Sequence, residues 1–557
     1  MQKLKNLNPL VLLFILLIPA CWALFVPGFY GASDEVHIAW LYEMDQVLKL
    51  GYFPGRFVPD LSYAFGYPLF NFVFPLPYYL AELFHVIGFS FVDSIKMLFF
   101  LTIPVSAFLM YRLLKEVTNN HLAFVGALLY SYTPYRSVDI YVRGAIGEVV
   151  SFVFFPLIAW SILKLGNSQE RKYVAIGGLS IGGLILSHNI AAYMMMPLFA
   201  LLMAMIILTH LKKISLIINY CLMGLLGAVV SMFFWFPALT ESTLMKYDTV
   251  FNFVDHFPTL SQLVKPYWGY GGSVPGPGDG MSFFLGGAQL VVLVTGVLYF
   301  LFDRKRFNTT QQVLSVWAMI SIGIAIVMMN YRSIPIWNSV PFIPYFQFPW
   351  RFLMVTTFCI PLLVGAFENI RGRGIVVLGL IVLTVAVNGW YFRPQDFLGR
   401  TDSYFLDKYI PSSPVSEAYK QNQEEYLRLP KNAEKRPDQL MPRFYSDSGA
   451  SIQTQWQDPL NAQAVITSTK SAIINYSKYK YPGWEADVDG LYVPTTSGKP
   501  YAQIQVFVPA GTHTVHISYH EPIYKVILDI ISGAFMIGAL LLLGSGVVKR
   551  YNGKVSR

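Results

Sequence analysis

Long charge-poor runs recur along almost the whole chain, and no other feature constrains its fold as strongly. Of the 557 residues, 54% are hydrophobic and only 13% are charged, whereas a soluble domain carries about 25% charged residues. A helix needs about 20 apolar residues to cross a bilayer, and about 17 is the usual lower limit. Twelve runs approach that length: 8–28, 95–112, 119–135, 149–165, 173–187, 190–210, 214–238, 282–302, 311–330, 352–368, 374–392 and 524–547. The sequence therefore predicts an all-α polytopic membrane protein with about twelve transmembrane helices.

Basic residues between these runs orient the predicted helices. If the N-terminus is cytoplasmic, every segment on the inner side holds at least two Lys or Arg, as in Lys3 and Lys5 or Arg371 and Arg373. Cytoplasmic loops of membrane proteins are enriched in this way. We therefore expect a multi-pass protein of the cytoplasmic membrane with an uncleaved first helix and both termini inside. The net charge of +9 then requires no nucleic-acid partner.

The same alternation places the longer segments outside the membrane, including 29–94 and 393–523. The second half of the latter has short alternating runs typical of β-strands: Ala464–Thr469, Ala472–Tyr479, Trp484–Val488, Ala502–Val508 and Thr514–Tyr519. Asp489-Gly490 and Pro509-Ala510-Gly511 are typical of hairpin turns. We predict a transmembrane domain over 1–392, an extracytoplasmic β-sandwich over 393–522, and a last helix with a basic tail over 523–557.

An acidic pair, Asp34-Glu35, directly follows the first apolar run. Carboxylates avoid hydrocarbon, so the pair is expected at the membrane boundary, before an amphipathic juxtamembrane helix that ends near Lys49. Together with this pair, nine other ionisable side chains are predicted on the same outer side: His37, Arg56, Asp60, Arg143, Glu148, His188, Asp248, Lys265 and Arg351. Each one alone is compatible with a solvated loop, but together, within apolar surroundings, they indicate a site.

Two parts of this set have informative surroundings. Arg351 lies within Phe346–Phe352, a stretch rich in aromatic residues, where an arginine either has an anionic partner or reaches to water. Arg143 and Glu148 flank Gly144-Ala145-Ile146-Gly147, and their spacing of five does not match a same-face helix pair. The glycines would allow a ligand to approach the backbone closely. A structural and a functional role remain equally open for this pair.

Several classes of protein lack support in the sequence. No P-loop, dinucleotide fingerprint, HExxH or CxxC motif is present. Intramembrane charge is sparse, which argues against an ion-coupled transporter.

Six motifs, in order, resemble a known group of membrane proteins. They are Ser33-Asp34-Glu35-Val36-His37, Gly51-Tyr52-Phe53-Pro54-Gly55-Arg56, Gly66-Tyr67-Pro68, Tyr141-Val142-Arg143-Gly144-Ala145, Leu186-Ser187-His188-Asn189 and Gln347-Phe348-Pro349-Trp350-Arg351-Phe352. The chain resembles the membrane proteins labelled "6-pyruvoyl-tetrahydropterin synthase-related" and, more broadly, the GT-C superfamily of glycosyltransferases. The segment Tyr481–Gly490, with Val508–His513, is similar to the extracytoplasmic domain of YfhO-like proteins. The label implies no pterin chemistry here.

The resemblance implies transfer of a sugar from a polyprenyl-phosphate donor to a glycan or lipid acceptor of the cell envelope, with inversion. It implies that Asp34, or secondarily Glu35, is the general base. The cations Arg143 and Arg351 would hold the lipid phosphate, and His37, Arg56, Glu148 and His188 complete the expected substrate-binding set. A divalent cation, Mg²⁺ or Mn²⁺, at Asp34, Glu35 and Glu148 remains open, because only some GT-C enzymes use one.

Two alternatives to the enzyme remain. One is a non-catalytic protein of the same fold that binds or presents lipid-linked glycans. The other is a transporter or flippase for a lipid-linked substrate. Replacement of Asp34 distinguishes them, since only an enzyme should lose turnover while keeping lipid binding.

Overall fold

The computed structural model describes residues 9–210, 213–246, 252–422 and 428–555, the last eleven of these by backbone alone. Within these ranges, nine helical segments are long and apolar enough to cross a membrane. They are Phe91–Leu114, Ile146–Ser168, Asn189–Leu208, Lys213–Val230, Gly287–Arg306, Thr309–Met329, Pro349–Phe367, Arg373–Tyr391 and Ile523–Gly544. The predicted polytopic helical architecture is confirmed.

Three of the twelve predicted spans form shorter helices. Pro9–Cys21 continues as a 3-10 segment to Phe25, Asn120–Ser131 has 12 residues, and Arg171–Ser187 has 17. The total of twelve spans therefore stays a prediction. The remaining short helices connect the long ones: Pro134–Ser137, Met232–Thr240, Leu260–Val264, Ile334–Ser339, Asp402–Tyr409 and Glu417–Asn422.

Polar caps fix where several long helices begin. The Ser90 side chain accepts a backbone hydrogen bond in the first turn of Phe91–Leu114. Asn308 and Gln311 form a reciprocal capping box at the start of Thr309–Met329. These side chains satisfy N–H groups that the first helical turn leaves unpaired.

The segment 29–94, which is predicted to lie outside the membrane and is called the first outer loop below, contains three helices, His37–Lys49, Leu69–Phe72 and Leu76–Val86. Eight of the thirteen residues of the first helix are buried, among them Ile38 and Leu41 but also Glu43 and Asp45. The predicted juxtamembrane helix is therefore present, although it begins at His37, three residues after Asp34.

The C-terminal segment contains nine strands: β1 Phe444–Tyr445, β2 Ser451–Gln457, β3 Asn461–Ser468, β4 Ala472–Tyr479, β5 Trp484–Val488, β6 Leu491–Val493, β7 Thr496–Ser497, β8 Gln503–Val508 and β9 Gly511–Tyr519. They form two antiparallel sheets, ordered β1-β4-β8-β7 and β2-β3-β9-β5-β6. Alternate residues such as Ala464 and Ile466 in β3 are buried. The rings of Tyr476 and Trp484, one from each sheet, lie 5.6 Å apart, so the two sheets contact each other, and the β-sandwich stays a prediction.

The two predicted hairpin turns behave differently. Asp489 and Gly490 join β5 to β6 with positive φ angles of 53° and 79°, as a type I′ hairpin turn requires. Pro509-Ala510-Gly511 was expected to form a second hairpin, and this prediction is wrong, because β8 and β9 belong to different sheets. Turn residues mark a chain reversal, but they do not specify which strands pair.

The β-sheets rest on the first outer loop. The Phe57 ring lies 5.6 Å from that of Trp484 and 5.2 Å from that of Tyr519. Lys478 donates a hydrogen bond to the carbonyl of Pro59 at 2.7 Å. This loop thus lies between the sheets and the helical domain, and its first residues form one wall of the cavity described next.

Candidate active site

A cavity of about 660 Å³ lies where several loops and helix ends meet. Six separate parts of the chain supply its polar side chains, which include Ser33, Asp34, His37, Arg143, Glu148, His188, Asn189, His256, Ser273, Gln347, Arg351 and Arg428. Six of the eight predicted site residues are therefore brought together. Glu35 and Arg56 do not line the cavity.

Asp34 is held in the cavity wall by its backbone. Its N–H donates to the carbonyl of Arg143 at 2.7 Å, and the N–H of Ser33 donates to that of Val142 at 3.1 Å. The Asp34 carboxylate lies 3.8 Å from Nη2 of Arg143. Its side chain is 31% exposed, whereas that of Glu148 is fully buried, so Asp34 is the more accessible of these two carboxylates.

Glu35 points away from the cavity. Its carboxylate pairs with Arg400 at 2.8 Å and with Lys408 at 2.6 Å. The residue itself is buried. The two neighbouring acids thus have separate surroundings: Asp34 lines the cavity, and Glu35 ties the start of the first outer loop to the segment after Arg373–Tyr391.

Arg143, Glu148 and Arg351 form a buried ionic cluster. Oε1 of Glu148 accepts from Nη2 of Arg143 at 3.0 Å and from Nε of Arg351 at 3.1 Å. Tyr135 donates to the other carboxylate oxygen at 2.6 Å. Asp139 accepts from Nη1 of Arg143 at 2.7 Å. A carboxylate bonded in this way offsets the cost of keeping two guanidinium groups out of water.

The local backbone explains why a spacing of five brings Arg143 to Glu148. A π-helical segment ends at Arg143, Gly144 takes a left-handed conformation with φ of 72°, and the helix Ile146–Ser168 begins two residues later. Glycine adopts this conformation without the strain of a side chain. The turn folds Arg143 back against the first turn of the new helix, which a continuous helix would not do.

Aromatic rings support the two arginines. The guanidinium carbons of Arg143 and Arg351 lie 4.8 Å and 5.8 Å from the centre of the Trp350 ring. Arg351 also lies 5.2 Å from the Phe348 ring and donates to the Phe346 carbonyl at 3.1 Å. Cation–π contacts hold such groups while leaving N–H donors free to turn toward a ligand.

Two histidines in the cavity wall are held in the neutral form. Burial is the main reason that the pKa of His37 is lowered to about 4 and that of His188 to about 3; nearby Arg143 also lowers both, and Asp34 and Glu148 oppose the shifts in part. His37 shares a hydrogen bond of 2.7 Å with the Tyr78 hydroxyl. Nδ1 of His188 accepts the N–H of Ala191 at 3.0 Å, so the neutral His188 ring carries its proton on Nε2.

Arg56, which is predicted to bind substrate, does not line this cavity. It pairs with Asp529 of the last long helix and donates to the carbonyl of Phe233 at 2.8 Å. The Arg56–Asp529 ion pair thus connects the first outer loop to that helix. Asp60 and Lys265 do not line the cavity either, and Asp248 falls outside the described residues.

The three carboxylates at which a divalent cation was left open, Asp34, Glu35 and Glu148, are not arranged as a shared metal site. Glu35 is paired with two cations away from the cavity, and both oxygens of Glu148 already accept hydrogen bonds. Only Asp34 remains available. No group of three or more His, Cys, Asp or Glu side chains within the described ranges is arranged to bind a metal ion.

Sequence reasoning missed several residues of the cavity. His256 and Ser273 come from the segment 252–281, and Tyr135 and Asp139 complete the ionic cluster. For His256 and Ser273, the glycine-rich stretch 269–280 was the sequence feature that could have indicated a functional loop. Asp139 lies four residues before Arg143, which is ordinary helical spacing for an ion pair.

Comparisons with known proteins identify sequence relatives. A family model described as "6-pyruvoyl-tetrahydropterin synthase related domain; membrane protein" matches residues 70–393. An uncharacterized protein of Lactococcus lactis subsp. cremoris (strain MG1363) is 24% identical over 246 residues, which are 42% of this chain and 40% of that protein. The matched part is thus less than half of this relative.

Several solved structures align with part of the chain at low sequence identity. The mycobacterial arabinofuranosyltransferase AftD has a TM-score of 0.46 and 12% identity, over 70% of this chain and 27% of AftD. For the Archaeoglobus fulgidus oligosaccharyltransferase the TM-score is 0.39 at 12% identity, over 70% of this chain and 56% of that one. For the arabinosyltransferase EmbB of Mycobacterium smegmatis it is 0.36 at 9% identity, over 94% and 64%. The match covers less than two thirds of each of these proteins.

Proposed function

The chain belongs to the 6-pyruvoyl-tetrahydropterin synthase-related family of membrane proteins, and we propose that it is a glycosyltransferase. It moves a sugar from a polyprenyl-phosphate donor to a cell-envelope acceptor on the outer face of the cytoplasmic membrane. The observation that carries this proposal is the position of Asp34, an accessible carboxylate 3.8 Å from Arg143 in a cavity that Arg351 also lines. A base beside two fixed cations suits the attack of a hydroxyl on a phosphate-linked carbon.

In the proposed reaction, Asp34 takes the proton of an acceptor hydroxyl. The hydroxyl oxygen attacks the anomeric carbon of the donor sugar from the face opposite the phosphate. The bond between that carbon and the phosphate oxygen breaks, and its electron pair leaves with the polyprenyl phosphate. The configuration at the anomeric carbon is inverted. A positioned general base typically contributes about 10²- to 10⁴-fold to such a rate.

The leaving phosphate requires stabilisation of its growing negative charge. Arg143 and Arg351 supply it, because a guanidinium group binds phosphate through two parallel N–H donors. Glu148 fixes both groups in advance, so that little reorganisation is needed when charge develops. Glu148 is thus a positioning residue rather than a base: it is fully buried and its oxygens are occupied.

The proposal is tested by mass spectrometry of cell-envelope glycans from cells that produce the wild-type protein or Asp34→Asn at equal level. We expect the variant to lose a glycan that the wild type makes. Glu417→Gln, at a carboxylate that is 78% exposed, is the matched control and should leave the profile unchanged.

The two alternative functions give different results. A glycan that Asp34→Asn still makes, but that disappears when the gene is deleted, would indicate a binding protein. Movement of a labelled polyprenyl-phosphate sugar across reconstituted vesicles, with no new glycosidic bond, would indicate a transporter. Either result contradicts the enzyme.

A further inference from the structure

The segment 269–281 brings its two ends together through glycine contacts. Gly280 donates to the carbonyl of Gly272 at 2.9 Å, and Tyr270 pairs with Met281 as an isolated β-bridge. A Cβ at Gly271 would lie 3.0 Å from the Gly280 backbone, and one at Gly280 would lie 2.5 Å from that of Gly271. The close approach therefore needs glycine on both sides, and it places Ser273 next to Asp279.

Ser273 and Asp279 connect this loop to His256. The Asp279 carboxylate accepts from the Ser273 hydroxyl at 2.9 Å, from the backbone N–H of Val274 at 3.0 Å and from the Gln262 amide at 2.8 Å. The Ser273 oxygen lies 2.9 Å from Nδ1 of His256. Three side chains from one outer segment thus form a chain of hydrogen bonds.

These partners decide which nitrogen of His256 carries the proton. The Asp279 carboxylate has no proton to give, so Ser273 must be the donor in that bond. The serine oxygen then offers a lone pair to Nδ1, which must be the protonated nitrogen. Burial lowers the pKa of His256, so the ring is neutral near pH 7. Its Nε2 is consequently a hydrogen-bond acceptor.

His256 lies in the cavity close to the proposed phosphate site. Its ring meets the Phe348 ring edge to face at 5.0 Å, and the guanidinium group of Arg351 lies 5.2 Å from the same ring. His188 lines the same cavity, but its Nε2 carries the proton and is therefore a hydrogen-bond donor. The cavity wall thus contains one imidazole acceptor and one imidazole donor.

We propose that His256, oriented by Ser273 and Asp279, is a subsite for hydroxyl groups of the transferred sugar. Its Nε2 accepts a hydrogen bond from one hydroxyl, while Nε2 of His188 donates a hydrogen bond to another oxygen. Sugar hydroxyls both donate and accept, which suits this pair of tautomers. This inference rests on the proposed function, since it assumes a donor whose phosphate lies at Arg351.

The test measures binding of two kinds of probe to the full chain in nanodiscs by native mass spectrometry. One probe is decaprenyl phosphate, and the others are decaprenyl phosphates that carry mannose, glucose or arabinose. We expect the wild type to bind at least one sugar-bearing lipid more tightly than the bare phosphate. His256→Phe should reduce that preference about tenfold, the effect of one lost hydrogen bond, and leave decaprenyl phosphate affinity unchanged.

Three further variants make the result specific. His256→Gln, which offers a carbonyl acceptor, should retain part of the preference. Ser273→Ala should lose part of it, because the tautomer is no longer fixed. His121→Phe, at an exposed histidine outside the cavity, is the control and should bind as the wild type does. If His256→Phe fails to fold, the other two cavity variants decide.

The outcomes separate the two proposals. If the wild type prefers a sugar-bearing lipid and the His256 and Ser273 variants keep the full preference, the subsite is overturned while the proposed function stands. An equal loss for both kinds of probe also overturns it, because a structural role would act on both. If the wild type prefers none of the sugar-bearing lipids, the proposed function fails, and the subsite with it.

Discussion

Glu148 accepts a hydrogen bond from Nε of Arg351 at 3.1 Å, although the two residues are 203 positions apart in the chain. The same carboxylate oxygen accepts from Arg143 at 3.0 Å. One buried anion therefore holds together the ends of two long helical segments, Ile146–Ser168 and Pro349–Phe367. We therefore expect both the stability of the protein and the geometry of the site to depend on Glu148.

Glu148→Gln should destabilise the protein and abolish transfer. The amide leaves two buried guanidinium groups without their shared anion, and breaking a buried ion pair costs about 3–5 kcal/mol. We expect a clear fall in the thermal unfolding temperature in detergent, together with loss of polyprenyl-phosphate binding. Glu417→Gln should change neither, because its partner Lys420 is exposed. An unchanged unfolding temperature for Glu148→Gln would show that the cluster is not structural.

Glu35→Gln should lower stability and keep turnover, whereas Asp34→Asn should do the reverse. Glu35 is buried between Arg400 and Lys408, which retain some contact with solvent, so its loss should cost about 1–3 kcal/mol of stability. Residual turnover of the folded fraction should stay close to wild type, whereas Asp34→Asn should keep its stability and lose turnover. Unfolding curves and initial rates on the same samples provide the comparison. Equal loss of rate in both variants would mean that the acids act as a pair.

The contrast between these two acids illustrates what the sequence alone could predict. Adjacency indicated that Asp34 and Glu35 share a membrane boundary, but adjacent side chains after a helix end point in different directions. The role of Glu35 depends on Arg400 and Lys408, which are more than 360 positions away. Such pairing is fixed by tertiary packing and leaves no local pattern.

Local sequence patterns predicted the structure correctly where an element allows only a few residue types at each position. The alternation of β3 and the Asp489-Gly490 turn predicted strands and a hairpin, because a half-buried sheet and a type I′ turn each restrict the residues allowed. Arg143 and Glu148 show the limit of such rules. Their spacing argued against a helical pair, and they meet because Gly144 interrupts the helix.

His188 should make stability depend on pH. Its folded pKa of about 3 lies below its unfolded value of about 6.5. Below pH 6.5 the unfolded chain therefore binds a proton that the folded chain excludes, and the free energy of unfolding falls as the pH falls. The slope is about 1.4 kcal/mol per pH unit for a single group.

His188→Asn should flatten this dependence. Asparagine keeps the helix cap, since its oxygen also accepts a backbone N–H, but it has no titratable group. Unfolding free energies of both proteins between pH 6.5 and 4.5 give the difference in slope, with the exposed His121→Asn as control. Parallel curves for wild type and His188→Asn would contradict the buried neutral histidine.

Chelation of divalent cations should leave transfer unchanged. Arg143 and Arg351 provide the positive charge at the proposed phosphate site, and the carboxylates nearest to them are already bonded to cations or donors. Initial rates with and without excess EDTA test this expectation. Loss of activity that Mg²⁺ or Mn²⁺ restores would show that Asp34 binds a metal together with ligands from the substrate.

Gly147→Ala should distort the site although it adds a single methyl group. A Cβ at this position would lie 2.5 Å from the Phe74 ring and 2.7 Å from the Ser187 carbonyl oxygen, so the start of Ile146–Ser168 must move. Overpacking of this kind costs about 1–3 kcal/mol, and the displacement would separate Glu148 from Arg351. We expect a lower unfolding temperature and at least a tenfold loss of turnover.

The matched control is Gly323→Ala, inside a long helix with no neighbouring atom within 4 Å, where alanine should stabilise by about 0.5–1 kcal/mol. Equal behaviour of the two variants would show that the tight packing at Gly147 does not position the ionic cluster.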